Sequence, residues 1–514
     1  MTSDTRGRAG AEEAPGAGEP APAPGEAHGS DAHRSDGHRS DSAGPSAVAA
    51  PRRRGPLPLL IRQALPGIII LGAVIQLARP VGDPDTFWHL AAGDYLRETW
   101  TFNGPDPWSA SATQPWRLHE WLPELVMSVV QQALGLPGVA WLLPLGVAVI
   151  GLSLWRATRA RASLLASVVV TVIAVAAMSQ SLSLRPHLLS FAFAVAFTAA
   201  WLRAAQDGRA RWWLVPMTWV WACTHGMWFF GVVIGVVALV GIAFDRAVDL
   251  RRWGRLALVP VASLAVAAVT PTGPALLLSP FAVNETTEFI AEWMPSSLKQ
   301  PGFLFFLLLA AVVVLIWART RQRVPWTEVL LVGLAIGLAL LYSRTVAMGA
   351  AVLAPVAALT IQRLLPSEPE PTTRREVGLT VGLTALGLVV AALVVPSRAA
   401  VPTWGANDLD ARLDALPQDT VVCNDYGIGG WLIWRHPELR PTVDGRTEIY
   451  GAGHVRAHIE FERAEPGWQG YVTRNGCRYA LLDNDQPVVE ALVAQSRWAV
   501  VQRGAQYVLL RAPR

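Results

Sequence analysis

Little in this 514-residue sequence suits water: charged residues make up 16% of it, against 52% hydrophobic. A water-solvated globular domain carries about a quarter charged residues, so a chain this poor in charge must set much of its surface against lipid. Lysine is reduced to Lys299, and the net charge of +4 comes from arginines grouped in short clusters between apolar runs. That distribution argues against nucleic-acid binding, which would gather cations along one face. Three cysteines exclude a disulfide framework. Cys223 lies in an apolar run, and Cys423 and Cys477 can pair only if the last part of the chain is exported.

What is present instead is apolar sequence. A membrane-crossing helix needs roughly 20 mostly apolar residues, and such runs recur over 61–396, among them 162–181, 229–244, 303–317 and 377–395. None shows the polar face, repeating every 3.6 residues, of a core helix in a water-soluble bundle. Residues 1–55 are the opposite: rich in Ala, Gly, Pro, Ser and Asp with almost no large apolar side chains, they cannot offset the entropy of ordering and read as a disordered cytoplasmic tail. The repeat HRSDGHRSDS and His28, His33 and His38 read as solvated low complexity rather than a metal site. With no apolar core near Met1, no signal peptide is expected before the first span.

Charge sets the direction of threading. Arg52, Arg53 and Arg54 abut the first apolar run and place the N-terminus in the cytoplasm. The arginines at 156–161, 203–211, 246–255, 319–323 and 374–375 belong on that same side, and the turns at 184–187, 224–226, 272–300 and 343–345 on the other. The alternation closes with about eleven spans if 120–134 is a juxtamembrane or re-entrant helix and 139–155 the crossing. The expectation is a polytopic α-helical membrane protein: a transmembrane domain over 56–396 with an outer loop at 81–124, in the plasma (inner) membrane. Short strands predicted at 420–423, 440–443, 479–482, 498–502 and 506–510, with helical stretches between them, make 397–514 a soluble, extracytoplasmic α/β domain.

The loop after the first span, VGDPDTFWHLAAGDYLRETWTFNGPDPWSASATQPWRLHEWLPE, carries the most chemistry. Asp83 and Asp85 flank Pro84, which disfavours helix before it and displays both carboxylates from a turn. Trp88, His89, Tyr95 and Trp100 follow on a stretch suited to the interface, and Trp116, Arg117, His119, Glu120 and Trp121 precede re-entry. Sugar transfer from a phosphate carrier needs a carboxylate to take the acceptor's proton and cations or a metal for the departing phosphate. Asp83 or Asp85 suits the first task, and His89, His119 and Glu120 suit acceptor or metal positioning. The structural alternative is that the aspartates cap the following helix. Arg185 and His187 in SLSLRPHLLS, His225 in THGMW and Arg344 in LYSRT fall at the same outer level, where they form a cationic pocket for a lipid phosphate or else snorkel to headgroups.

An acidic pair after the first span, a long outer loop, many further spans and a C-terminal soluble domain resemble the GT-C superfamily of membrane glycosyltransferases, which includes protein mannosyltransferases, aminoarabinose transferases and oligosaccharyltransferase catalytic subunits. The resemblance covers topology over 61–396, with Asp83-Pro84-Asp85 as its local motif. It implies inverting hexosyl or pentosyl transfer from a polyprenyl-phosphate-linked sugar to a glycan, lipid or protein acceptor, with an aspartate of the first outer loop as catalytic residue. It also implies a divalent metal in some members, here Mg or Mn with Asp83 and Asp85 as ligands. The WWDYG-type signature of oligosaccharyltransferases is missing from this sequence, which points away from peptide-sequon recognition and toward a bacterial cell-envelope transferase.

Other readings compete. A polysaccharide ligase or polymerase shares these features. A transporter would show internal repeats and mid-membrane charges, and a noncatalytic scaffold would have a polar loop without a pocket. Glu285, Glu288 and Glu292 read as the wet face of an interfacial helix. Gly427, Gly429 and Gly430 lack the spacing of a phosphate-binding loop, and Asp444, Gly445 and Arg446 read as a turn with an internal ion pair.

Overall fold

The computed structural model describes residues 56–278, 293–366 and 368–513. The tail with its histidines, Arg52 to Arg54, and the Glu285, Glu288 and Glu292 series lie outside them.

The apolar runs become a helical bundle: α1 (Pro56–Gln76), α3 (Trp121–Arg159), α4 (Leu164–Met178), α5 (Leu188–Asp207), α6 (Leu214–Ala222), α7 (Phe229–Asp245), α8 (Leu250–Ala267), α9 (Pro301–Arg319), α10 (Trp326–Leu341), α11 (Val346–Gln362) and α12 (Arg374–Arg398). The protein is thus a polytopic helical membrane protein. Eight helices among the described residues are long and apolar enough to cross a membrane. The bundle also holds the short α6 and α10 and the arginine-opened α8, which do not meet that measure. Helix α11 is apolar on all sides and buried along almost its whole length, so it forms the bundle's centre.

Region 120–159 breaks where the sequence suggested. Gly135 has φ 65° and ψ −167°, a conformation open essentially to glycine alone, and Pro137 opens the next segment as proline does in a first helical turn. An arm at 121–134 therefore precedes the crossing.

The two ends of the bundle differ. At one, arginine-bearing connections meet: Arg159 pairs with Glu376 at 2.9 Å, Arg363 with Glu328, and Asp245 accepts from the backbone N–H groups of Trp326 and Thr327 that open α10. The other end, called here the domain face, carries 77–85, 182–187, 223–228 and 342–345, tied by Arg79 donating to Leu182 O at 3.0 Å and Arg398 to Ala78 O at 3.1 Å. It supports the amphipathic α2 (Asp85–Thr99) and the C-terminal domain.

That domain has α13 (Asp410–Leu413), β3 (Val421–Asn424), α14 (Gly429–Arg435), β4 (Arg440–Pro441), α15 (Ala452–Glu462), α16 (Gln469–Asn475), β5 (Tyr479–Asp483), α17 (Pro487–Ser496), β6 (Ala499–Arg503) and β7 (Tyr507–Arg511). The strands order β4-β3-β5-β7-β6, with β3 parallel to β4 and β5, and β7 antiparallel to β5 and β6. Alternate strand residues serve two layers: Cys423, Ala480, Leu482, Val508 and Leu510 pack with Phe461, Trp468 and Val488, whereas Val422, Leu481 and Leu509 join Trp431 and Leu432 in a core continuous with the bundle. Cys423 and Cys477 form a disulfide. The loop after α2, with its two-residue pair β1 (Asn103–Gly104) and β2 (Trp116–Arg117), lies against this domain, Ala110 N donating to Pro441 O and Thr113 N to Ile449 O.

Candidate functional site

The N-terminus of α2 is built by its own sequence. The N-cap of α2, Pro84, receives no side-chain cap hydrogen bond; Asp83 instead performs a turn-holding role, its Oδ1 accepting from Asp85 N at 3.0 Å across Pro84, so the turn displays two carboxylates. Asp83 performs a second role as well. Thr86 Oγ1 donates to Leu184 O at 2.8 Å and holds the 182–187 turn alongside, and from that turn Arg185 Nε reaches Asp83 Oδ1 and Oδ2 at 2.8 and 2.7 Å while Nη1 reaches Asp85 Oδ2 at 2.9 Å. Burial pushes the Asp83 carboxyl up, but the Arg185 charge and its hydrogen bonds outweigh that and hold it below the usual carboxylate range. One guanidinium thus bridges both acids.

One helical turn later, His89 points at the arm of α3. Gly93 lets the two helices close up, since a side chain there would strike the Glu124 backbone, and His89 Nδ1 comes 2.8 Å from Glu124 Oε1. Glu120, four residues before Glu124 and on the same side of the arm, gathers three imidazoles: His225 Nε2 at 3.3 Å, His119 Nε2 at 3.4 Å and His89 Nε2 at 3.8 Å. Burial pushes the Glu120 carboxyl up, yet His225, His119 and His89 pull it far below the ordinary range. Burial likewise lowers His119, but Glu120 and Glu448 prevail and raise it to about 9. His225 is lowered well below its usual value by burial, with Arg344, His187 and His119 reinforcing it against the pull of Glu120. Its Nδ1 accepts from Met227 N, so Nε2 carries the proton toward Glu120. Arg344 stands 3.5 Å from His225 Nε2 and over the Trp293 ring, and His187 lies ring to ring with His225 at 5.8 Å.

All nine residues singled out from the sequence are therefore on the domain face, in two groups joined through α2: Asp83, Asp85 and Arg185; and His89, His119, Glu120, His187, His225 and Arg344. Arg185, expected to meet a lipid phosphate, faces the acid pair. The group with metal-ligand spacing is His89, Glu120 and Glu124, whose ligand atoms lie within 4.8 Å of one another, whereas Asp83 and Asp85, expected as ligands, are spanned by Arg185. The buried Glu124 Oε2 finds no hydrogen-bond partner among the described residues, which fits a cation held there.

The C-terminal domain closes the site from above. Gly445 abuts Asp85 and Trp88 so closely that a Cβ would collide with the Asp85 carboxylate, and a Cβ on Gly430 would lie 2.9 Å from Pro84 O. Tyr426 is pushed up by burial and by Asp85 and Asp444. Arg446, 1% exposed, links Asp444 to Asp106 of the loop beneath the rings of Trp108 and Trp116. Of the residues that sequence reasoning missed, Glu124 was detectable four positions after Glu120 and Tyr426 and Glu448 carried no signal of their own; Gly445, read as part of a turn, proves to lie against the acid pair.

No protein-family model matches the chain, and no curated protein sequence does. Solved structures do. The Archaeoglobus fulgidus oligosaccharyltransferase AglB in complex with an inhibitory peptide and a dolichol-phosphate has 13% identity and a TM-score of 0.55, over 81% of this chain and 69% of that one. The same enzyme with Zn and sulfate has 13% identity and a TM-score of 0.52, over 80% and 68%. ArnT from Cupriavidus metallidurans in the apo state has 15% identity and a TM-score of 0.49, over 89% and 99%. At these identities the likeness establishes the fold alone: this chain shares the fold of the archaeal enzyme, a helical membrane bundle, here followed by an α/β domain.

Proposed function

We propose that this protein is a membrane glycosyltransferase that moves a sugar from a polyprenyl-phosphate carrier to an acceptor hydroxyl at the domain face. The observation that carries the proposal is the acid pair Asp83 and Asp85 gripped by Arg185, one helical turn from the His89, Glu120, His225 and Arg344 cluster, where the bundle meets its soluble domain. The GT-C fold supports it, as does the dolichol-phosphate of the archaeal enzyme.

In this reading Asp83 or Asp85 takes the proton of the acceptor hydroxyl, whose oxygen attacks the anomeric carbon as the bond to the phosphate oxygen breaks, inverting the centre. Arg185 keeps Asp83 ionised at rest and pairs with Asp85 as well. When the incoming lipid phosphate draws the guanidinium toward itself, one carboxylate regains basicity as the leaving group gains a counter-charge. Arg344 supplies the charge that neutralises the developing phosphate, with the imidazoles of His225 and His187 beside it, while His119 orients the acceptor. His89, Glu120 and Glu124 would hold a divalent metal, which when bound supplies further stabilisation of phosphate charge. An imidazole among the ligands suits Zn better than Mg or Mn, and the archaeal enzyme is known with Zn.

The arginine-rich end of the bundle belongs to the cytoplasm by the positive-inside rule, which puts the site and the α/β domain outside, in the plasma (inner) membrane of a bacterial cell. The Cys423–Cys477 disulfide agrees with an oxidising compartment. The test supplies labelled polyprenyl-phosphate sugars to membranes carrying the native protein or the Asp83→Asn, Asp85→Asn double variant. Transfer should vanish in the variant, and equal transfer by both would remove the proposal.

A further inference from the structure

A second histidine, far from the acid pair in sequence, sits in an unusual setting. His436 caps the C-terminus of α14, and its ring is fully buried, edge-on to Trp431 at 5.2 Å. Its Nε2 lies 3.2 Å from Asp410 Oδ1. A carboxylate only accepts, so Nε2 turns an N–H to Asp410, and in the neutral imidazole Nδ1 keeps its lone pair. That lone pair faces two more carboxylates, Asp414 Oδ1 at 2.9 Å and Glu438 Oε1 at 3.7 Å, and Nδ1 finds no hydrogen-bond partner among the described residues. Three electron-rich atoms converging on one point repel one another unless a cation lies between them. Arg435, the nearest cation on the helix, is turned away and donates to Asp410 Oδ2 at 2.8 Å.

We infer that His436, Asp414 and Glu438 bind a divalent transition-metal ion, Zn²⁺ being the class that fits, in a site on the α/β domain separate from the His89, Glu120 and Glu124 cluster. The three ligand atoms lie within 4.8 Å of one another, as they must to surround one ion at about 2.0–2.2 Å. An imidazole ligand selects Zn²⁺ over Mg²⁺ or Ca²⁺. Asp410 behind the ring completes the carboxylate–histidine–metal arrangement that fixes the tautomer of a metal-bound imidazole. The Asp414 side chain is 56% exposed, so an ion can enter and keep water in its remaining position. The site joins the end of α13, reached directly from the last membrane helix, to the end of α14, whose first turn presses on the N-terminus of α2. An ion here staples the linker to the helix that roofs the acid pair.

The experiment uses the full chain in detergent, stripped with a chelator and titrated with Zn²⁺ by calorimetry, with bound metal counted and Co²⁺ used as a spectroscopic probe. The wild type is compared with Asp414→Asn combined with Glu438→Gln; both positions are exposed enough to leave folding intact. The variant should lose one Zn²⁺ equivalent per chain and one set of Co²⁺ visible bands. Asp410→Asn should keep the stoichiometry while weakening that equivalent by about ten- to a hundredfold. Unchanged stoichiometry and affinity in the double variant would show that these side chains hold no metal, and the inference would fail.

Discussion

Replacing Arg446 by methionine removes the cation that ion-pairs Asp106 of the first loop with Asp444 of the α/β domain. Its Nη1 donates to Asp106 Oδ1 at 2.5 Å, its Nε and Nη2 to Asp444 at 2.8 Å each, and its guanidinium lies 4.8 Å from the Trp108 ring. Methionine fills much of the volume but leaves two fully buried carboxylates without their counter-charge. Breaking a buried ion pair from one side costs about 3–5 kcal/mol, a large share of the 5–15 kcal/mol that holds a domain together. For a folding unit of this size each kcal/mol moves Tm by about 2–4 °C, so the fall should be roughly 10 °C. Tryptophan fluorescence during thermal unfolding of the detergent-solubilised chain reads it, and limited proteolysis should open the 100–118 loop first. The effect carries a pH signature. Burial pushes the Asp444 carboxyl up, but Arg446 pulls it below its ordinary range, so the stability it contributes is present above the unfolded carboxylate value and lost as pH falls through the depressed folded one. The gap between wild type and variant should therefore hold from pH 7 to about pH 5 and narrow as pH falls below the ordinary carboxylate value of about 4. A triple variant that also carries Asp106→Asn and Asp444→Asn should recover much of the loss. A Tm within about 2 °C of wild type for Arg446→Met alone, against that scaling, would refute the assignment of this network as the clamp.

Other perturbations reach the site itself. Arg185→Gln removes the charge that depresses Asp83, so the acid limb of transferase activity should move to higher pH, and a limb at the wild-type pH would argue against Asp83 as the reacting carboxylate. Gly445→Ala puts a methyl group against the Asp85 carboxylate. Misplacing a reacting group by about 1 Å can cost a hundredfold, so kcat should drop at least about tenfold with Tm nearly unchanged; an unaltered kcat would mean Asp85 is not in the machinery. Cys423→Ser with Cys477→Ser opens a loop of sequence separation 54, worth about 4 kcal/mol in the chain-entropy account. The same pair should resist thiol labelling in intact cells until a reductant is added, and prompt labelling would contradict an exported domain.

Much of this protein was legible along the chain because the bilayer reads sequence locally. A span needs only its own apolar residues, so the helices over 56–398 follow from composition, and the break at Gly135 follows from the GLPG sequence. The strands of the α/β domain were legible as well, within about one residue at most ends, because β3, β5 and β7, buried on two faces, leave apolar runs of fixed length. The residue types at the site were visible too: an acid pair behind a proline, histidines and arginines at turns that the charge alternation sent to one side. What each of them faces was not. Arg185 pairs with Asp83 across 102 positions and Gly445 closes on Asp85 from the far end of the chain. No periodicity records such partners, because ion pairing and steric closure act through space. The sequence determined that the protein is a membrane bundle with its polar chemistry at one end. Only the tertiary structure decided that the acids are bridged by one guanidinium, that the metal-type spacing belongs to His89, Glu120 and Glu124, and that the C-terminal domain roofs them, since a charge in a low-dielectric site is governed by its nearest neighbours in space.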